Sequence, residues 1–134
     1  MERITIETDL FEHREVKANF INPCCFGEDF AVWLTNKLDP LTHQGFHLSE
    51  PIQEDYGWAL LVSTTKESFF IALSYVGNGP QEPPPQWVVS VCYGGLNPFK
   101  RWSNPGSQTF LALRDHIWQA LRSDPRISVI EEPN

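Results

Sequence analysis

Three segments of the chain, 56–64, 68–76 and 86–93, carry apolar side chains on both alternating faces, and this narrows the fold more than any other feature. In the first, Tyr56, Trp58, Leu60 and Val62 alternate with Gly57, Ala59 and Leu61. In the second, Phe69, Ile71, Leu73 and Tyr75 alternate with Phe70, Ala72, Ser74 and Val76. In the third, Trp87, Val89, Val91 and Tyr93 alternate with Val88, Ser90 and Cys92. A period of two marks strands. Apolar groups on both sides mark central strands with at least partial cover on each face. The link Thr64–Glu67 is too short for a crossover, so the first two strands form a hairpin. The link to the third ends in three prolines, Pro83 to Pro85, which favour extended polyproline II geometry.

The flanking patterns supply the rest of an α+β domain. Ile4 and Ile6 share one face of a strand over 2–8, and Val16, Ala18 and Phe20 share one face of a second strand over 14–21, paired with the first across Asp9–Glu12. Phe26, Phe30, Trp33, Leu34 and Leu38 follow a helical repeat and predict a helix over 24–38, with Asn22 as its N-cap and Asp39-Pro40 as its stop. A short edge strand is expected over 45–50. A second helix is expected over 107–122, where Phe110, Leu113, Ile117, Ala120 and Leu121 form the buried stripe and Ser107 caps the start. A closing strand follows at 126–131. The order is β-β-α-β-β-β-β-α-β: a mainly antiparallel sheet of six or seven strands with two helices packed on it. Phe30, Trp33, Leu113 and Ile117 are the expected helix–sheet contacts, and 134 residues are expected to form a single domain, 1–134.

Charge narrows the function. The net charge of −7 disfavours nucleic acid, whose phosphates are bound by Lys and Arg. The charge is also uneven. Residues 1–93 hold 5 basic and 13 acidic side chains, whereas 94–126 hold Lys100, Arg101, Arg114, Arg122 and Arg126 against Asp115 and Asp124. Two ordinary solvated faces explain this most simply; complementary docking of a partner or a second copy is the alternative. No apolar run is long enough for a membrane span, and no leader pattern opens the chain, so a cytoplasmic protein is expected. Three cysteines, two of them adjacent, do not make a secreted disulfide framework.

Four clusters could carry chemistry. Cys24 and Cys25 would occupy the first turn of the first helix, where the dipole favours a thiolate, but no histidine is paired with them by the sequence. The simpler reading is a core cysteine with an incidental neighbour. A metal is not expected, because His13, His43, His47 and His116 are scattered and the adjacent cysteines lack the gap of a zinc ligand pair. No cofactor motif is present. In 49–58, Glu50, Glu54 and Asp55 stand beside Tyr56 and Trp58. This reads as a solvated loop leading to core aromatics, as a docking patch, or as a carboxylate pair for acid–base work. In 97–106, Lys100 and Arg101 stand beside Phe99 and Trp102, either as a surface loop anchored by two buried aromatics or as a site for an acidic partner, a phosphate or a nucleotide.

At 26–34 and 49–58 the chain resembles small uncharacterised bacterial proteins in which a helix ending near W-L precedes an acidic E-D-[YW]-G-W strand start. The resemblance spans about residues 20–95 and implies a bacterial accessory protein, without an activity or site residues. Without catalytic motifs, the expected function is a protein-binding module of immunity, inhibitor or accessory type. A small-ligand or cysteine-dependent enzyme using Cys24 or Cys25, and a self-associating subunit, are the alternatives.

Overall fold

A computed structural model describes residues 1–15, 18, 26–76 and 85–131. Strands β1 (Glu2–Glu7), β2 (His47–Leu48), β3 (Ile52–Glu54), β4 (Gly57–Ser63), β5 (Ser68–Val76), β6 (Gln86–Tyr93) and β7 (Ser128–Glu131) form one antiparallel sheet. Its order is β2-β4-β5-β6-β1-β7, with β3 on the same edge of β4 as β2. Helices α1 (Glu28–Leu38) and α2 (Gln108–Ser123) pack on one face. The α+β class, an antiparallel sheet within the expected six or seven strands and the two helices packed on it agree with the patterning.

Two details of the order differ. The segment expected as a second strand, 14–21, lies mostly outside the described residues, and β1 has β6 and β7 as neighbours in place of that hairpin. The sheet gains β3, which is absent from the sequence reading. Pro51 hides it: β2 and β3 are two halves of one edge, interrupted where residues 49–51 bulge against β4. Ser49 bridges the interruption with its backbone N–H donating to the Leu61 carbonyl and its Oγ accepting from the Leu61 N–H, both at 2.9 Å. A bulge of this kind lets an edge continue past a residue that cannot donate.

Helix α1 starts at Glu28, four residues later than expected. Gly27 sets the boundary, because its φ of 126° is not helical and its carbonyl already accepts from the Ala31 N–H at 2.8 Å. Glu28 and Asp29 then meet the positive end of the helix dipole. After Leu38 a 3-10 segment, Asp39–Gln44, carries the chain to Gly45. Helix α2 begins where its cap predicts, with the Ser107 Oγ accepting from the Phe110 N–H at 3.2 Å.

Between helices and sheet, Phe30, Leu34, Leu113 and Ile117 meet Ile4, Leu60, Ile71, Trp87 and Val89, all fully buried. Trp33 is half-buried at the margin of the same core. Trp87 is the hub. Phe11 and Phe30 present their rings edge-on to it, and its Nε1 donates to the Thr8 carbonyl at 3.4 Å. Aromatic pairs of this geometry each add about 0.5–1.5 kcal/mol beyond simple burial.

Candidate functional site

Among the described residues, no helix lies on the opposite face of the sheet. Register decides what it presents: Ala59, Ala72, Ser90 and Arg3 are direct cross-strand neighbours on β4, β5, β6 and β1. A row of small side chains therefore ends at a guanidinium. Beside it, Leu61, Phe70 and Cys92 form a second row, with Phe70 and Cys92 buried. Small groups bordered by large ones leave a depression, and a cleft of about 370 Å³ lies there. Its floor is Ala72, Ser74, Ser90 and Cys92, and its rim includes Arg3, Tyr56 and Arg101.

Tyr56 reaches the rim through a turn. Glu54 pairs with Gly57, so Asp55 and Tyr56 are the two residues of a tight hairpin between β3 and β4. Trp58, two residues on, points into the helix-side core, so the expectation that Tyr56 and Trp58 share a face does not hold. Gly57 makes the change of direction, with a φ of 153° and a backbone so close to β5 that an added Cβ would lie 2.2 Å from the Leu73 carbonyl oxygen. Burial, then the charge of Glu54, raises the Tyr56 phenol above its usual range, with Arg101 acting in the other direction. Burial also raises the Cys92 thiol, against Arg101 and Arg3. Both groups are therefore neutral near pH 7, and neither is poised as a nucleophile.

Arg101 is placed by the loop between β6 and α2. Gly94 (φ 94°) and Gly95 (φ 57°) turn the chain, and a Cβ on Gly94 would lie 2.3 Å from that of Lys100. The Gly94 N–H donates to the Ser68 carbonyl at 2.7 Å, and Asn97 Oδ1 caps the 3-10 turn Pro98–Lys100 by accepting from the Phe99 N–H at 3.0 Å. The Arg101 carbonyl accepts from the Met1 amino group, and the Ser103 hydroxyl donates to the Lys100 carbonyl. This hydrogen-bonded loop does not bury its aromatics, contrary to the simpler sequence reading. Leu96, Phe99 and Trp102 are 70%, 95% and 68% exposed. The loop is held instead by hydrogen bonds to Ser68, the Asn97 side chain and the Met1 amino group, and within its own turns.

Arg14, Arg114 and Arg126 hold Asp9, Glu2 and Asp124. Arg3, Lys100 and Arg101 make no ion pair with a described carboxylate.

The structure divides the residues singled out from sequence. Tyr56 and Arg101 meet at the cleft, with Glu54 close enough to act on Tyr56. Lys100 and Trp102 project from the adjoining loop. Glu50 and Trp58 instead line a separate groove of about 470 Å³ with Glu28, Asp29, Val32 and Pro51. Asp55 is exposed at the hairpin tip. Cys24 and Cys25 lie outside the described residues. Arg3 and the small-residue floor were missed, although the alternation of Ala72, Ser74 and Ser90 on one face was a visible signal of the floor. His13 is fully buried on the helix side, with Nε2 2.7 Å from Asp9 Oδ1 and its ring stacked on Tyr75. Among the described residues no group of three or more His, Cys, Asp or Glu side chains is placed to hold a metal, and no helix is long and apolar enough to cross a membrane.

A scan against protein-family models returned no match. Searches of curated proteins and of solved structures likewise returned no significant match.

Proposed function

We propose that this chain is a non-catalytic protein-binding module, of immunity, inhibitor or accessory type, that docks an acidic partner on the loop 96–102 and the adjoining open face of the sheet. The observation that carries the reading is the exposure of Leu96, Phe99 and Trp102 on a hydrogen-bonded loop beside Lys100 and Arg101, which make no ion pair with a described carboxylate. A loop whose backbone is already ordered loses less entropy on binding than a flexible one, and aromatic and arginine side chains dominate interface energies. Residues 94–107 contain no Asp or Glu, in a chain of net charge −7, so the field at this surface selects a negatively charged partner. Three cations are too few for nucleic acid to be that partner.

This moves the docking surface from the acidic segment 49–58 to the basic loop, with Tyr56 shared between them. A cytoplasmic location and a bacterial accessory role belong to the same reading and rest on the sequence. Self-association is the second reading, favoured by the groove around Glu28, Asp29 and Glu50, whose charge is opposite to that of the loop.

The test compares capture of partners by the wild type, by a Phe99→Ser/Trp102→Ser variant, and by a variant with Glu50, Glu54 and Asp55 changed to Lys. The proposal expects loss in the first variant and retention in the second. Retention by the loop variant would remove the loop from the interface. Sedimentation of the purified chain at low and high salt checks self-association.

A further inference from the structure

The cleft itself has a chemistry that does not rest on docking at Phe99 and Trp102. Its floor is a flat patch of Ala72, Ser74 and Ser90, and apolar walls come from Phe70, Val76 and Val88. Arg3 and Arg101 stand on its rim without carboxylate partners among the described residues. At about 370 Å³ it falls at the lower end of the size of small-ligand sites, about 300–1,000 Å³. An apolar trough with an arginine at β1 and another on the facing loop suits a ligand that is apolar along its body and anionic at one end.

We infer that this cleft binds an apolar-bodied monocarboxylate, its carboxylate held by Arg3 and Arg101 and its body lying over Ala72 and Ser90 between Phe70 and Val88. Arginine presents its N–H donors as a planar fork that matches a carboxylate in two parallel hydrogen bonds. The serine hydroxyls of the floor supply further donors. A dianion fits less well, because the charge of Glu54 reaches Tyr56 on the same rim. The same chemistry can come from a free small acid or from an acidic residue beside an apolar one in a polypeptide. The inference does not depend on docking at Phe99 and Trp102.

The experiment is a titration of the ¹⁵N-labelled chain at neutral pH, following the amides of Ala72, Ser74, Ser90 and Cys92. The probes are 3-phenylpropionate with its neutral amide, acetyl-Ala-Glu-Phe-amide with its Gln counterpart, and inorganic phosphate. Saturable shifts with either carboxylate, and affinity at least about tenfold weaker for its neutral isostere, are expected, because a charge-assisted pair contributes that much or more. Response to the free acid assigns a small-molecule ligand; a tighter response to the peptide assigns a polypeptide carboxylate. Arg3→Met and Arg101→Met should each weaken binding about tenfold while the spectrum keeps its dispersion, since both side chains are exposed. The Phe99→Ser/Trp102→Ser variant should bind the probes like the wild type, which separates this site from the docking reading. Equal binding of the neutral isosteres, tighter binding of phosphate, or unmoved floor amides with every probe would overturn the inference.

Discussion

Replacing Gly57 by Ala tests the turn that sends Tyr56 to the cleft and Trp58 to the core. Two costs combine. A non-glycine residue at a φ of 153° is strained by about 1–3 kcal/mol. The new Cβ would also lie 2.2 Å from the Leu73 carbonyl oxygen, 3.3 Å from its carbon and 3.5 Å from the Ser74 Cα, all backbone atoms of β5. Backbone in the middle of a paired sheet cannot turn aside as a side chain can, so β4 must separate from β5 at this end. Together the two effects are expected to cost about 3–4 kcal/mol, in the range of severe single substitutions. That is a large part of the roughly 5–15 kcal/mol typical of a domain. Gly45 is the control. Its φ is 91°, but nothing lies within 4 Å of an added Cβ, so Gly45→Ala carries the backbone strain without the clash. Urea unfolding of both variants measures the difference. A Gly57→Ala cost no greater than that of Gly45→Ala would show that the close approach of β4 to β5 is not what fixes this turn.

Three further outcomes follow from particular contacts. The Phe99→Ser/Trp102→Ser variant should unfold within about 0.5 kcal/mol of the wild type, as exposed substitutions do, yet lose at least about 2 kcal/mol of partner binding, the scale of interface hot spots; calorimetry measures both. Asp124 accepts two side-chain hydrogen bonds and one backbone hydrogen bond from Arg126, and these lower its carboxyl from an ordinary 3.8 to about 2. That drop converts to roughly 2.4 kcal/mol, and because the Arg126 guanidinium is 61% exposed, screening leaves about 1 kcal/mol. A lowered folded pKa contributes stability above the ordinary value and loses it as pH falls through the folded one. Asp124→Asn should therefore cost about 1 kcal/mol in urea melts at pH 7, converging with the wild type towards pH 2. Glu67 Oε2 accepts from the Ser107 hydroxyl at 2.6 Å and the Tyr93 hydroxyl at 2.8 Å, tying the β4–β5 turn to the α2 cap. A double-mutant cycle of Glu67→Gln with Ser107→Ala should show coupling of about 0.5 kcal/mol or more, and additive costs would mean the two groups act separately.

The sheet and both helices were legible because alternation and helical spacing are local signals. What lay beyond them depended on contacts distant in sequence. Alternation shows that β4, β5 and β6 are apolar on both faces, but not that both helices would choose the same face and leave Ala72 and Ser90 as the floor of a cleft. Tyr56 and Trp58 have the spacing of neighbours on one face. Only the approach of Gly57 to Leu73 reveals that a turn intervenes. Phe99 and Trp102 look like anchors because aromatic side chains usually are. Their exposure follows from a loop whose backbone is held by Ser68, Asn97 and Ser103. The alternation of Ala72, Ser74 and Ser90 announced the floor's small side chains, whereas Arg3 carried no such signal, because its significance arises from lying across from Ser90 and near a loop almost a hundred residues later.

Hydrogen–deuterium exchange of the chain, alone and bound to a captured partner, examines the proposed surface without altering a residue. Protection gained at 94–103 and at the β3–β4 hairpin, with 28–32 unchanged, is the predicted footprint. Protection confined to 28–32 and 48–52 would place the partner in the acidic groove and contradict the assignment.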